Sequence, residues 1–172
     1  MMTSWLHRLL IEIPLFALAM AGTHLVMSFG QTLLHYYLGH TSLGGKMFRN
    51  HINFHHTYYA RGHLTSRASE ANDGNNTPYF FIPVGLAAAA VYFLLPIGMF
   101  IAVMLTAGVS FYVHVWFDKA YHIEGSCLER FAWFRRMRQI HFVHHLHANR
   151  NFAVIDFFWD RLLGTFRDVD RP

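Results

Sequence analysis

His51, His55 and His56 fall within six residues, HINFHH, and His141, His144 and His145 fall within five, HFVHH. Imidazole is the commonest side-chain ligand for metals and binds through a neutral ring nitrogen. On an α-helix, residues at i, i+3 and i+4 share a face. His51 with His55, and His141 with His144 and His145, could therefore each reach one metal from one side. His56 lies about 140° round from His51 on a helix of ~3.6 residues per turn, where it could reach a second metal. More donors stand nearby. His35 and His40 are spaced H-x4-H, with Gly39 loosening the turn between them, and HVWFDKAYH sets His114, Asp118 and His122 at four-residue steps. Nine or ten donors exceed what one ion takes and suggest two. Imidazoles with few carboxylates suit iron, zinc, copper or nickel and exclude calcium and magnesium. His7, His24, His63 and His147 read as structural, His24 as a polar group inside a helix bundle.

The elements that must carry these residues are apolar. The chain has 172 residues, enough for one domain, 1–172, and charged residues are 14%, well below the roughly 25% of soluble domains. Residues 9–34 form one apolar run long enough to cross a bilayer, with a weak basic start and more length than a cleaved signal peptide has. Residues 79–117 contain no Lys, Arg, Asp or Glu. That run is too long for one crossing, and Pro96 and Gly98 break it into a hairpin of about 79–95 and 97–117. The expected fold is all-α and membrane-integral: three crossings, one helix plus a hairpin, with a helical histidine-rich cap built from 35–78 and 118–172.

Charge agrees with three crossings. Arg8 precedes the first; Lys46, Arg49, Arg61 and Arg67 lie between the first two; the remaining nine basic residues follow position 117. Three crossings put thirteen of the fourteen on one side, which the positive-inside rule makes cytoplasmic. Both histidine motifs fall there. The net charge of +4 thus fits anionic headgroups rather than nucleic acid, for which no phosphate-tracking Lys/Arg run exists. LERFAWFRRMRQI, 128–140, reads as a helix on the membrane surface or as a packing helix. Residues 66–78 read as a polar loop, and its Asn75-Asn76-Thr77 sequon, cytoplasmic and followed by Pro78, carries no weight. The single Cys127 excludes an internal disulfide and Cys-rich zinc sites and reads as a small packing residue.

The order H-x4-H, H-x3-H-H, H-x2-H-H resembles the fatty acid hydroxylase/sterol desaturase superfamily of membrane oxidoreductases. NFAVIDFFWDRLLGTFRD, 151–168, is similar to the stretch that follows that superfamily's last histidine box. The resemblance covers about 35–168. It implies a non-haem di-iron centre that uses O2 and external electrons to attack an unactivated C–H bond. Carried over by motif, the ligands are His35, His40, His51, His55, His56, His141, His144 and His145. His122 fits the further pair before the last box, but Asp118 stands where a histidine is expected. Asp118 would ligate, orient a ligand, or leave the place to His114.

Ligating histidines need acceptors that fix their tautomer. Asn151, Asp156 and Asp160 follow the last box and are candidates, unless they cap helices or bridge to Arg150 and Arg161. The expected activity is hydroxylation or desaturation of a lipid: acyl chain, sterol, sphingolipid or carotenoid. Two irons would be the cofactor, with zinc able to replace them during purification. Electrons would come from a separate donor protein, since no flavin or haem motif is present. The site would face the cytoplasm from a bacterial inner membrane or the endoplasmic reticulum. The competing classes are a membrane metal-binding or transport protein, which would place ligands along a path inside the membrane, and a catalytically inactive relative.

Overall fold

A computed structural model describes residues 2–68 and 78–169. The sequon and most of the 66–78 loop lie outside the described residues. The chain is mostly helical, and among the described residues there is no β-strand, only an isolated bridge between Ser66 and Ile123.

Helix α1 spans Met2–Leu34 and runs into a π-helical turn, His35–Gly39. A short α2, Lys46–Asn50, leads directly into a second π-helical turn, His51–His56. Helix α3, Pro78–Leu94, and helix α4, Ile97–Tyr121, form the expected hairpin, broken at Pro96, whose extended ψ of 143° starts α4. α4 runs four residues past the expected end at 117 and carries Asp118 within it. Nothing in WFDKAY breaks a helix, and Lys119 sits in the last turn, where its charge suits the helix dipole.

The expected helix over 128–140 is corrected to two pieces. Cys127–Arg130 is a 3-10 turn capped by the Ser126 hydroxyl, extended backbone at Phe131 ends it, and α5 runs from Ala132 to Leu146. α5 thereby carries the whole HFVHH motif. Cys127 is exposed, not packed. A short α6, Phe158–Leu163, stops at Gly164 in the left-handed conformation, which glycine adopts without a Cβ clash.

Two helical stretches, Leu10–Gly39 and Ile97–Tyr121, are long and apolar enough to cross a membrane, and α3 contributes a shorter apolar stretch, Val84–Leu94. The two long stretches are almost entirely unburied within the described residues. Their apolar side chains face outward, Val26 at 72% exposure and Leu105 at 65%. α1 and α4 lie against each other. The buried core sits beyond their ends instead. There Tyr121 and Phe134 pack with Val154, and Ile140 packs with Ala153 and Phe157. That core joins the end of α4, α5 and the C-terminal loop around the histidines.

Candidate metal centre

Nine histidines converge in this cap, in two groups whose ring nitrogens lie within 4.8 Å of one another. His35, His40, His51, His56 and His144 form the first; His55, His122, His141 and His145 form the second, all four of them buried. The division corrects the expectation that each motif serves one ion from one side. His51 pairs with His56, not His55, and His144 leaves His141 and His145. The cause is the π-helical geometry. A turn with i→i+5 hydrogen bonds brings residues five apart onto one face, which is the spacing of His35/His40 and of His51/His56. On the regular helix α5, His141 and His145 share a face by i+4, while His144 points to the other group.

The tautomers are set from outside. A carbonyl oxygen can only accept, so each ring nitrogen facing one carries the proton. His35 Nδ1 donates to Phe152 O (2.6 Å), His144 Nδ1 to Arg150 O (2.7 Å), His122 Nδ1 to Leu64 O (2.7 Å) and His145 Nδ1 to Tyr59 O (3.1 Å). Their Nε2 lone pairs are left pointing inward. Within the first group His35 Nε2 stands 2.8 Å from His51 Nε2, and His56 Nε2 stands 3.1 Å from His144 Nε2. In the second, His122 Nε2 and His141 Nε2 are 3.1 Å apart, and buried His145 Nε2 and His141 Nδ1 have no hydrogen-bond partner among the described residues. Converging lone pairs repel unless a cation sits between them. Two ligands on one ion, with bonds of ~2.1 Å, are separated by about this much. The residues therefore fit metal ions, and imidazole donors suit iron, zinc, copper or nickel.

Electrostatics keep seven of the nine rings neutral, as ligation requires. Burial, with His35 and His55 close by, lowers the His40 pKa to about 2, against the pull of a backbone bond at Ala148. Burial and His55 lower His122 to about 3. Burial, then neighbouring imidazoles, holds His51, His56, His141, His144 and His145 well below 6.5. The sign of the consequence is fixed. Below pH 6.5 the unfolded chain binds protons that the folded chain refuses, so stability is full above that pH and falls as pH drops toward 3. Metal-stripped protein is expected to melt at a lower temperature at pH 5 than at pH 8; equal melting temperatures would contradict the buried, neutral cluster.

The expected carboxylate and amide acceptors are corrected. None of Asn151, Asp156 and Asp160 is seen bonding a histidine of either group; backbone carbonyls do that work. Asp160, fully buried, accepts from Phe152 N (2.7 Å), Ala153 N (2.9 Å) and the Thr165 hydroxyl (2.6 Å). Burial pushes its pKa up against those bonds. Asn151, at φ 53°, donates to Ile140 O and Arg167 O and accepts from Arg167 N. Both residues staple the loop whose Arg150 and Phe152 carbonyls hold His144 and His35. Asp156 lies elsewhere, 3.2 Å from His24 Nε2 and accepting from Ser28. Asp118 Oδ1 stands 3.6 Å from His141 Nε2 but belongs to neither group, and nor does His114.

Sequence reasoning missed Tyr59. Its ring stacks on His122 at 3.9 Å and its carbonyl holds His145. Gly39 is fixed by close approach, since a Cβ there would meet His35 Cδ2 at 3.0 Å and His51 Cδ2 at 3.3 Å.

Set against protein-family models, curated proteins and solved structures, the chain matches none.

Proposed function

We propose that the protein is a membrane-bound oxidoreductase that hydroxylates or desaturates a lipid, using O2, at a pair of iron ions held by the nine histidines. One observation carries the reading: two adjacent groups of imidazoles with ring nitrogens converging, four of them (His35, His144, His122 and His145) with Nδ1 protons held outward on carbonyls. Such a donor set, free of thiolates, suits redox-active iron as well as zinc. Iron, when bound, supplies the oxygen activation needed to break an unactivated C–H bond.

The chain supplies the rest. The carbonyls of Phe152, Arg150, Leu64 and Tyr59 keep Nδ1 of His35, His144, His122 and His145 protonated and their Nε2 available. Burial excludes water from the second group and holds the rings of His122, His141 and His145 neutral. The outward apolar faces of α1 and α4 support a cap that lies beside hydrocarbon, where lipid binding gains ~0.8 kcal/mol for each CH2 buried. Electrons come from a separate donor protein.

The topology is three crossings, α1, α3 and α4, with the cap in the cytoplasm, as the basic residues require. Exposed Cys127, the chain's one thiol, reports it. A membrane-impermeant maleimide is expected to label Cys127 in inside-out vesicles and not in right-side-out ones; the reverse pattern would overturn the orientation. The activity is tested by lipid profiling of cells expressing the protein or its His144→Ala variant. Lipids gaining one oxygen atom or losing two hydrogens, with the wild type only, are expected. Identical profiles with both proteins present would defeat the reading.

A further inference from the structure

The two histidine groups differ in how far they reach the surface. In the first, His35, His40 and His56 are half-buried while His51 and His144 are buried; in the second all four rings are buried. Half-buried His40 sets its ring 4.9 Å from those of His51 and His56 and 4.6 Å from that of His144. One partly exposed imidazole therefore separates the buried members of the first group from the outside. The turns that carry the group are open as well. Tyr37 follows His35 and is exposed, and so is Phe54 between His51 and His56.

The second group is sealed by buried aromatic rings. Tyr59 is stacked on His122, and Tyr121 sets its ring 5.0 Å from that of His141. The Tyr121 hydroxyl donates to Val154 O (3.0 Å), and buried Phe134 packs behind it. Interiors are close-packed, so reaching these histidines means moving several buried side chains together. Donor count pulls the other way. The first group offers five imidazoles and the second four. Counted by bonds alone, the second ion is the more weakly held and has more coordination places left over. Burial reverses that order for anything that must arrive from outside, since an open position serves only where a ligand can reach it.

We propose that the first group is the open half of the centre, where small ligands from outside, O2 among them, gain access, and that the second is the closed half, whose ion exchanges only when Tyr59 and Tyr121 give way. That either group holds an ion rests on the metal-centre reading; the division between them goes beyond it. For the lipid oxidation proposed above, the C–H bond is then presented on the His40 and His56 side of the centre.

The test loads the wild-type protein in mild detergent with zinc, which takes imidazole donors without redox chemistry. Zinc release to excess pyridylazoresorcinol, a coloured chelator, is then timed. Two phases of equal amplitude are expected, the second slower by about tenfold or more, a gap that ~1.4 kcal/mol of local opening supplies. The double variant His40→Ala with His56→Ala is expected to lose the fast phase and keep the slow one, whose survival shows that the fold is intact. The wild type decides even if that variant fails to fold. Copper admitted in place of the fast zinc, then given ascorbate and peroxide, oxidises the rings that hold it. Peptide mapping is expected to find the damage on His40 and His56 and not on His122 or His141. Zinc leaving at a single rate, a fast phase that survives the double variant, or copper damage on His122 and His141 would overturn the division and leave the metal centre standing. A folded wild type that takes up no zinc would defeat the metal-centre reading and the division with it.

Discussion

Asp160→Ala is expected to cost about 2–6 kcal/mol of stability, from two buried backbone donors orphaned at ~1–3 kcal/mol each. Those donors are Phe152 N and Ala153 N, in residues that are themselves buried. The damage extends to the site. Once the loop is freed, the Phe152 carbonyl no longer holds His35 Nδ1 in place, and the first histidine group loses its outer support. Thermal melting and metal content should fall together. A variant that melts like the wild type and keeps all its metal would show that Asp160 staples nothing the site needs. Asp160→Asn keeps the shape but only one acceptor oxygen, and is expected to fall between the two.

His144→Ala is expected to remove the metal of the first group and abolish product. Residues that only orient a ligand cost about 10–100-fold in metal affinity or activity when replaced; loss of a donor should exceed that. His144 is buried, lies 3.1 Å from His56 Nε2 and is held by Arg150 O. His147 is the control. It closes the same helix but belongs to neither group. His147→Ala is expected to retain metal and product, and equal losses in both variants would mean that α5 had simply unfolded.

Much of this arrangement was legible in the residues. The absence of charge over 79–117 and the break at Pro96 gave the hairpin, because burial of a charge in an apolar helix and of an N–H-less ring in its middle are both costly. The nine donors stood out because buried imidazoles seldom cluster without a cation. Their pairing did not stand out. Reading H-x3-H at 3.6 residues per turn joins His51 to His55, whereas the π-helical turn joins His51 to His56. A π turn has no marked residue preference, so the one trace of it is the five-residue spacing, shared by His35/His40 and His51/His56. The tautomer-fixing groups were equally hidden. They are main-chain carbonyls, which every residue has, and only the fold selects those of Tyr59, Leu64, Arg150 and Phe152. Asp156 was misplaced for a related reason: its neighbour in sequence is the last histidine motif, but its neighbours in space are His24 and Ser28 on α1.

Metal content per chain tests the central claim most directly. The protein would be purified in mild detergent from iron-supplied cells and its metals counted by mass spectrometry, beside a His141/His144/His145→Ala variant that strips one donor from the first group and two from the second. The account predicts two irons per wild-type chain and fewer in the variant. Two zincs would keep the site but leave redox chemistry without support, since zinc has none. A well-folded wild type holding no metal would contradict the account.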